Sequence, residues 1–170
     1  MTFSGGEPLL QAKQIVPLLK LLKNDKINIA FETTLYAPQN NYRLVKEFVN
    51  YWLVDLKFQF GYIPNPDYHI DHSDFDSNLL DLQNYFPDSK IQYRMVIMQE
   101  ISERISSIVS QLNSYNINNI ELLTYHNLSN NKYMLLNKQI HKFTSPDSNF
   151  ITQLTNILYD HDIKLSILKI

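Results

Sequence analysis

The sequence contains no cysteine. Anything these residues build alone therefore excludes disulfides, thiolate nucleophiles and cysteine-ligated zinc or iron–sulfur centres. Glycine is nearly as scarce, at three residues in 170, against a usual share of about 7%. Two of the three are adjacent, Gly5 and Gly6, and a chain so sparing with glycine is expected to need that pair for its backbone geometry. No apolar run approaches the ~20 residues of a membrane span. The N-terminus lacks the charged stretch and apolar core of a signal peptide. A cytoplasmic protein without a membrane partner is the expectation. Charge of one sign is missing too. Lys and Arg total 15 against 17 for Asp and Glu, a formal net charge of −2, which leaves no field for nucleic acid or an anionic bilayer.

What is present is an ordinary globular composition, 44% hydrophobic over 170 residues. That length suits one domain able to bury a core without staples, so residues 1–170 are read as a single domain. Short apolar runs alternate with amphipathic stretches. Helical spacing marks Leu9 to Lys23, Asn40 to Asn50 (with Leu44, Val45 and Phe48 on one face), Ser73 to Phe86, Ser102 to Tyr115 and Asn149 to Asp160. Strands are expected at Ile27 to Thr33, Tyr51 to Leu56, Ile91 to Met98, Ile120 to Tyr125 and Lys164 to Ile170. Phe58 to His72 reads as an irregular loop and Asn127 to Pro146 as a long polar connection. A repeated βα rhythm with mostly apolar strands belongs to a parallel sheet covered on both faces or closed into a barrel. The fold class is α/β, with strands running in chain order.

In parallel α/β folds the ligand site lies at the carboxyl ends of the strands. Here those ends lead into Gly5-Gly6-Glu7-Pro8, Glu32-Thr33-Thr34, Asp55-Leu56-Lys57 and Tyr125-His126, while Arg94 lies within the strand from Ile91. Strand ends also carry polar residues simply because they meet water. The whole set on one rim is harder to explain that way than any single member.

Thr2-Phe3-Ser4-Gly5-Gly6-Glu7-Pro8 resembles the Gly-Gly-Glu-Pro segment of the radical S-adenosylmethionine superfamily. Glu32-Thr33-Thr34, Asp55-Leu56-Lys57, Arg94 and Leu123-Thr124-Tyr125-His126-Asn127-Leu128 follow in the order of one subgroup, the glycyl-radical enzyme activases of the pyruvate formate-lyase type. Asn131-Lys132-Tyr133 through Leu136 resembles that subgroup as well. The resemblance covers essentially the whole chain. It implies a partial (β/α) barrel with parallel strands, its first βα unit missing, so that residues 1–170 form the C-terminal part of the barrel.

The resemblance also implies a chemistry. In the family a [4Fe-4S] cluster held by three cysteines reduces S-adenosylmethionine. The resulting 5′-deoxyadenosyl radical takes a hydrogen from a backbone glycine of a partner enzyme. The implied partners are a glycyl-radical enzyme and an electron donor. The cluster is expected only in the full-length protein, because the family's Cys-x-x-x-Cys-x-x-Cys lies upstream of Gly-Gly-Glu-Pro. The chain as given is expected to be inactive alone, with no catalytic residue of its own, and its exposed first strand would favour self-association.

Cofactor-binding roles carry over residue by residue. Gly5 and Gly6 would let the backbone approach the methionine end of the cofactor. The backbone and carboxylate of Glu7 would receive its ammonium, the alternative being a helix N-terminal acid favoured by the dipole. Asp55 and Lys57 would contact its charged and hydroxyl groups, the alternative being an ion pair between them. Arg94 requires an anionic partner. His126 would lie near the ribose or adenine, the alternative being a satisfied loop histidine. Glu32 stands where the subgroup often has Asp, a position associated with a monovalent cation. Gln99-Glu100 replaces a usual Pro-Gly, and Thr124 and Ser129 replace a usual Pro and Gly. His69, Asp71, His72, Asp74 and Asp76 match no strong metal-ligand spacing and read as loop and helix cap. The rival function is a non-catalytic, degenerate or split barrel module that binds a partner chain or a nucleotide-like ligand. A third reading keeps the radical chemistry and changes the substrate to a small molecule.

Overall fold

The structure is a computed structural model and describes residues 1–57, 72–126 and 143–168. The strands are β1 (Thr2–Phe3), β2 (Ala30–Thr33), β3 (Tyr51–Asp55), β4 (Ile91–Ile97), β5 (Asn119–Thr124) and β6 (Lys164–Leu168). They follow chain order in one sheet, and every registered pair is parallel. The helices are α1 (Ala12–Asn24), α2 (Gln39–Val45), α3 (His72–Tyr85), α4 (Ile105–Ser114) and α5 (Ser148–Asp160). This is the α/β, chain-order architecture that the rhythm predicts, with boundaries shifted by a few residues. The expected loop over Phe58 to His72 and most of the connection over Asn127 to Pro146 lie outside the described residues. Packing divides the chain into two compact units. The first holds Met1–Leu56 and the stretch ending at Tyr93; the second holds Lys57 and everything described from Arg94 onward.

In the first unit, register fixes which side chains share a face. Phe3 pairs with Phe31, and Phe31 with Trp52. Their rings lie 5.1 and 5.7 Å apart, and Tyr42 of α2 and Phe86 close on Trp52 at 5.4 and 5.8 Å. Strand alternation then sends Ala30, Glu32, Leu53 and Asp55 to the opposite face. α1 buries Ala12, Leu19 and Leu22, one stripe at helical spacing. Pro17 sits on the exposed side of that helix, where the missing N–H and the ring disturb the core least. α2 buries Tyr42 and Val45, whereas Leu44 is 41% exposed. The expected apolar face of this helix is therefore rotated by one residue. It ends in a 3-10 turn, Lys46–Phe48, so the helical period does not run on to Phe48.

In the second unit, β5 and β6 pair from Asn119 with Lys164 to Leu123 with Leu168. Met95, Ile97, Ile120 and Leu122 are buried, as are Ile105, Ile108, Val109 and Leu112 of α4 and Phe150, Leu154 and Leu158 of α5. Asp147 caps α5, accepting from the Phe150 N–H at 2.7 Å. Gln99 and Glu100 have a role that explains their place after β4. The Gln99 N–H donates to the Thr144 carbonyl at 3.0 Å. The Thr144 N–H donates to Glu100 Oε1 at 2.8 Å, and the Asp147 N–H to Gln99 Oε1 at 3.0 Å. A Pro-Gly pair could make neither side-chain contact.

Glycine scarcity leaves its mark at three helix ends. α1, α4 and α5 each close with a left-handed residue, Lys26 (φ 57), Asn116 (φ 54) and Asp162 (φ 59). In each case the following isoleucine donates back to a leucine carbonyl: Ile27 to Leu22, Ile117 to Leu112 and Ile163 to Leu158, all at 2.9 Å. This is the Schellman closure that usually takes glycine at the left-handed position.

Candidate functional site

β1 ends at Phe3 and the chain turns through exposed Ser4, Gly5 and Gly6. Gly5 has φ 117, a conformation that a side chain would strain. Gly6 is different. Its φ is not in the left-handed region, and a Cβ there would meet nothing within 4 Å among the described residues. The Ser4 hydroxyl donates to Glu32 Oε2 at 2.6 Å, so Glu32 stands beside the turn, as its place on the β2 face requires.

Glu7 caps the 3-10 turn Pro8–Gln11 that leads into α1, accepting from the Leu9 N–H at 3.1 Å on Oε1. The same oxygen accepts from the Thr33 hydroxyl at 2.6 Å. Oε2 accepts from the Thr34 N–H at 2.8 Å and the Thr34 hydroxyl at 2.7 Å. A carboxylate offers about four lone-pair positions, and all are engaged. The carboxylate thus caps the 3-10 turn and ties the segment after the glycines to the end of β2.

Beyond Thr34 the backbone passes through Leu35, a fully buried leucine at φ 62. Such a conformation costs a non-glycine residue about 1–2 kcal/mol. Its N–H donates to Thr33 Oγ1 at 3.0 Å. The buried Asn78 of α3 donates from Nδ2 to the carbonyls of Leu35 and Ala37, at 3.0 and 2.8 Å. Asp55 closes β3, one residue past Val54, the partner of Thr33.

In the second unit Lys57 is half-buried. Arg94 lies mid-strand in β4, its Nε 3.5 Å from Glu121 Oε2 on β5, which supplies the anionic partner that its position demands. His126 is half-buried two residues past β5. The preceding Tyr125 donates its N–H to Ile97 at 2.9 Å and accepts from the Ser145 hydroxyl at 2.9 Å. The site residues read from the sequence thus fall into two sets: Gly5, Gly6, Glu7, Glu32 and Asp55 in one unit, and Lys57, Arg94 and His126 in the other. His69, Asp71 and the side chain of His72 lie outside the described residues. Among the described residues no three His, Asp or Glu side chains gather as metal ligands. None of the described helices is long and apolar enough to cross a membrane.

Sequence reasoning missed Thr33 and Thr34 as donors to Glu7, Asn78 as the loop's anchor and Glu121 as the partner of Arg94. Only Glu121 left a signal, an acid inside an otherwise apolar strand.

Comparison with known proteins places the chain. No protein-family model matches the sequence. It is 29% identical over 143 residues to the isethionate sulfite-lyase activating enzyme of Desulfovibrio desulfuricans, covering 82% of this chain and 46% of that protein. It is 30% identical over 147 residues to the pyruvate formate-lyase-activating enzyme of Clostridium pasteurianum, covering 81% and 58%. It is 24% identical over 169 residues to the 4-hydroxyphenylacetate decarboxylase activating enzyme of Clostridioides difficile, covering 96% and 53%. The chain spans about half the length of these curated relatives. In fold it is similar to the crystal structure of a domain of pyruvate-formate lyase-activating enzyme from Bacteroides vulgatus. The TM-score is 0.68 at 24% identity, covering 99% of this chain and 98% of that one. The homologues of this chain are therefore activating enzymes of glycyl-radical enzymes, and its α/β fold with parallel strands is similar to that of a pyruvate-formate lyase-activating enzyme domain.

Proposed function

We propose that this chain supplies the S-adenosylmethionine-holding part of an activating enzyme whose partner is a glycyl-radical enzyme of the pyruvate formate-lyase type. Gly6 carries the reading. Nothing among the described residues crowds its Cβ position, and its φ lies outside the left-handed region. The chain's own packing therefore gives no reason for glycine in a sequence that has only three. A ligand pressed against the backbone does.

The turn would take the methionine end of the cofactor, with backbone carbonyls of Gly5 and Gly6 accepting from the ammonium. The Glu7 carboxylate already has four donors and keeps those carbonyls in place. Asp55, on the same sheet face as Glu32, would accept from hydroxyl or ammonium groups. Lys57, Arg94 and His126 carry over from the resemblance as further contacts. When bound, S-adenosylmethionine supplies the sulfonium carbon–sulfur bond whose cleavage is the family's chemistry. The 170 residues hold no thiolate, so they do not by themselves fit an iron–sulfur cluster. In this reading the cluster belongs to the full-length protein. The absence of cysteine also favours a second reading, a non-catalytic module for a nucleotide-like ligand.

One experiment separates the two. A segment bearing Cys-x-x-x-Cys-x-x-Cys is joined ahead of Met1, the protein is reconstituted anaerobically with iron and sulfide, and 5′-deoxyadenosine and methionine are quantified under reducing conditions. The activase reading expects both products, with Lys57→Ala and His126→Ala slowing their release about tenfold or more. Binding of S-adenosylmethionine with no cleavage would leave the module.

A further inference from the structure

A line of hydrogen bonds runs through the first unit from a buried asparagine to the glycine turn. It starts at Asn78, whose side chain is fully buried in α3. Both amide hydrogens are used, on the carbonyls of Leu35 and Ala37. Among the described residues Oδ1 finds no donor. A buried orphan acceptor is costly, and an apolar residue would avoid the cost. The two donations are what the asparagine contributes. They hold a loop in which Leu35 is left-handed, and that loop presents Thr33 and Thr34 to Glu7.

The Glu7 end is specified just as tightly. Each carboxylate oxygen faces a backbone N–H, Leu9 on Oε1 and Thr34 on Oε2. A hydroxyl can reverse and accept, but a backbone N–H cannot. Glutamine would turn its NH2 toward one of them whichever way it lay. A carboxyl group, with an acceptor oxygen on each side, fits both.

We propose that Asn78, Thr33, Thr34 and Glu7 form a brace that sets the Gly5–Gly6 turn for its ligand, with Glu7 a positioning residue and the ligand contacts left to the backbone. The ligand half of this statement rests on the S-adenosylmethionine reading; the brace itself does not. Asn78 lies more than forty residues from Leu35 in sequence, so the turn's geometry depends on a helix that does not adjoin it in the chain.

The test uses the full 170-residue chain labelled with 15N-glycine, whose three glycines give three amide signals. Thr34→Val removes the hydroxyl donor, Thr34→Ser keeps it, and Asn78→Ser removes the amide. Without ligand, Thr34→Val and Asn78→Ser are expected to shift the Gly5 and Gly6 signals, while Thr34→Ser stays close to the parent. Should Asn78→Ser fail to fold, Thr34→Val on the half-buried loop carries the test. Gly5 and Gly6 signals unmoved in folded Thr34→Val would overturn the brace. Titration with S-adenosylmethionine then separates the two claims. The account expects parent Gly5 and Gly6 signals to move and the brace variants to need about tenfold more cofactor. Parent signals that do not move overturn the ligand reading, with the ligand-free result still deciding the brace. Weakened binding in Glu7→Gln, with Thr34→Val and Asn78→Ser binding like the parent, would make Glu7 a direct contact and overturn its positioning role.

Discussion

Thr34 gives Glu7 two hydrogen bonds on one oxygen, its N–H at 2.8 Å and its hydroxyl at 2.7 Å onto Oε2. With Leu9 and Thr33 on the other oxygen, the carboxylate joins the start of α1 to the end of β2. Replacing it by Glu7→Gln leaves an NH2 facing a backbone N–H, at a cost of about 1–3 kcal/mol. Urea unfolding measures this. A variant as stable as the parent would mean that the amide finds a partner elsewhere.

Lys26 and Asp162 occupy left-handed positions that close α1 and α5. Glycine relieves the steric cost there and gives some of the gain back through a freer unfolded chain. Lys26→Gly is expected to raise stability by about 0.5–1 kcal/mol. Asn116→Gly and Asp162→Gly should gain less, since asparagine and aspartate tolerate this conformation. Thermal melts of the three single variants check the order.

Burial pushes the Tyr93 hydroxyl up to about 12, against the hydrogen bond from Gln83, and Asp88 adds to the rise. Folded Tyr93 therefore keeps its proton to higher pH than unfolded Tyr93. Its contribution is whole below the unfolded value of 10.0 and is lost as pH rises toward about 12. Each pH unit in that window costs up to about 1.4 kcal/mol. Burial raises Tyr36 and Tyr42 as well, which steepens the loss. Unfolding curves between pH 9 and about 12 should show the decline, and Tyr93→Phe should flatten it.

The sheet was legible because apolar strands and amphipathic helices alternate, and β3 and β4 end within one residue of their expected limits. The face of α2 was not legible. Leu44 and Val45 are equally apolar, and only tertiary packing buries Val45 and Tyr42, the latter against Trp52. At the candidate site, Gly5-Gly6 stood out against a glycine-poor background. Asn78 did not, because a lone asparagine in a helical stretch gives no hint that it meets Leu35 and Ala37 more than forty residues away. Thr33 and Thr34 belong to a motif visible in the sequence, but their bonds to Glu7 depend on the register of β1 with β2, which no local pattern specifies.

Arg94 and Glu121 are both largely buried, with side chains 18% and 27% exposed. Removing the acid leaves a guanidinium in a mostly apolar strand. Glu121→Ala is expected to cost about 1–2 kcal/mol, less than a fully buried pair because water still reaches both groups. A double-mutant cycle with Arg94→Met isolates the pairwise part, expected at about 1 kcal/mol.

The central claim is that the Gly5–Gly6 turn and Asp55 hold S-adenosylmethionine, and a calorimetric titration of the 170-residue chain with that cofactor tests it most directly. Without a cluster to chelate the methionine end, the account predicts weak binding, with Kd on the order of 1 mM, and about tenfold weaker binding in Asp55→Ala. Micromolar binding that Asp55→Ala leaves unchanged, or no heat up to about 10 mM cofactor, would contradict it.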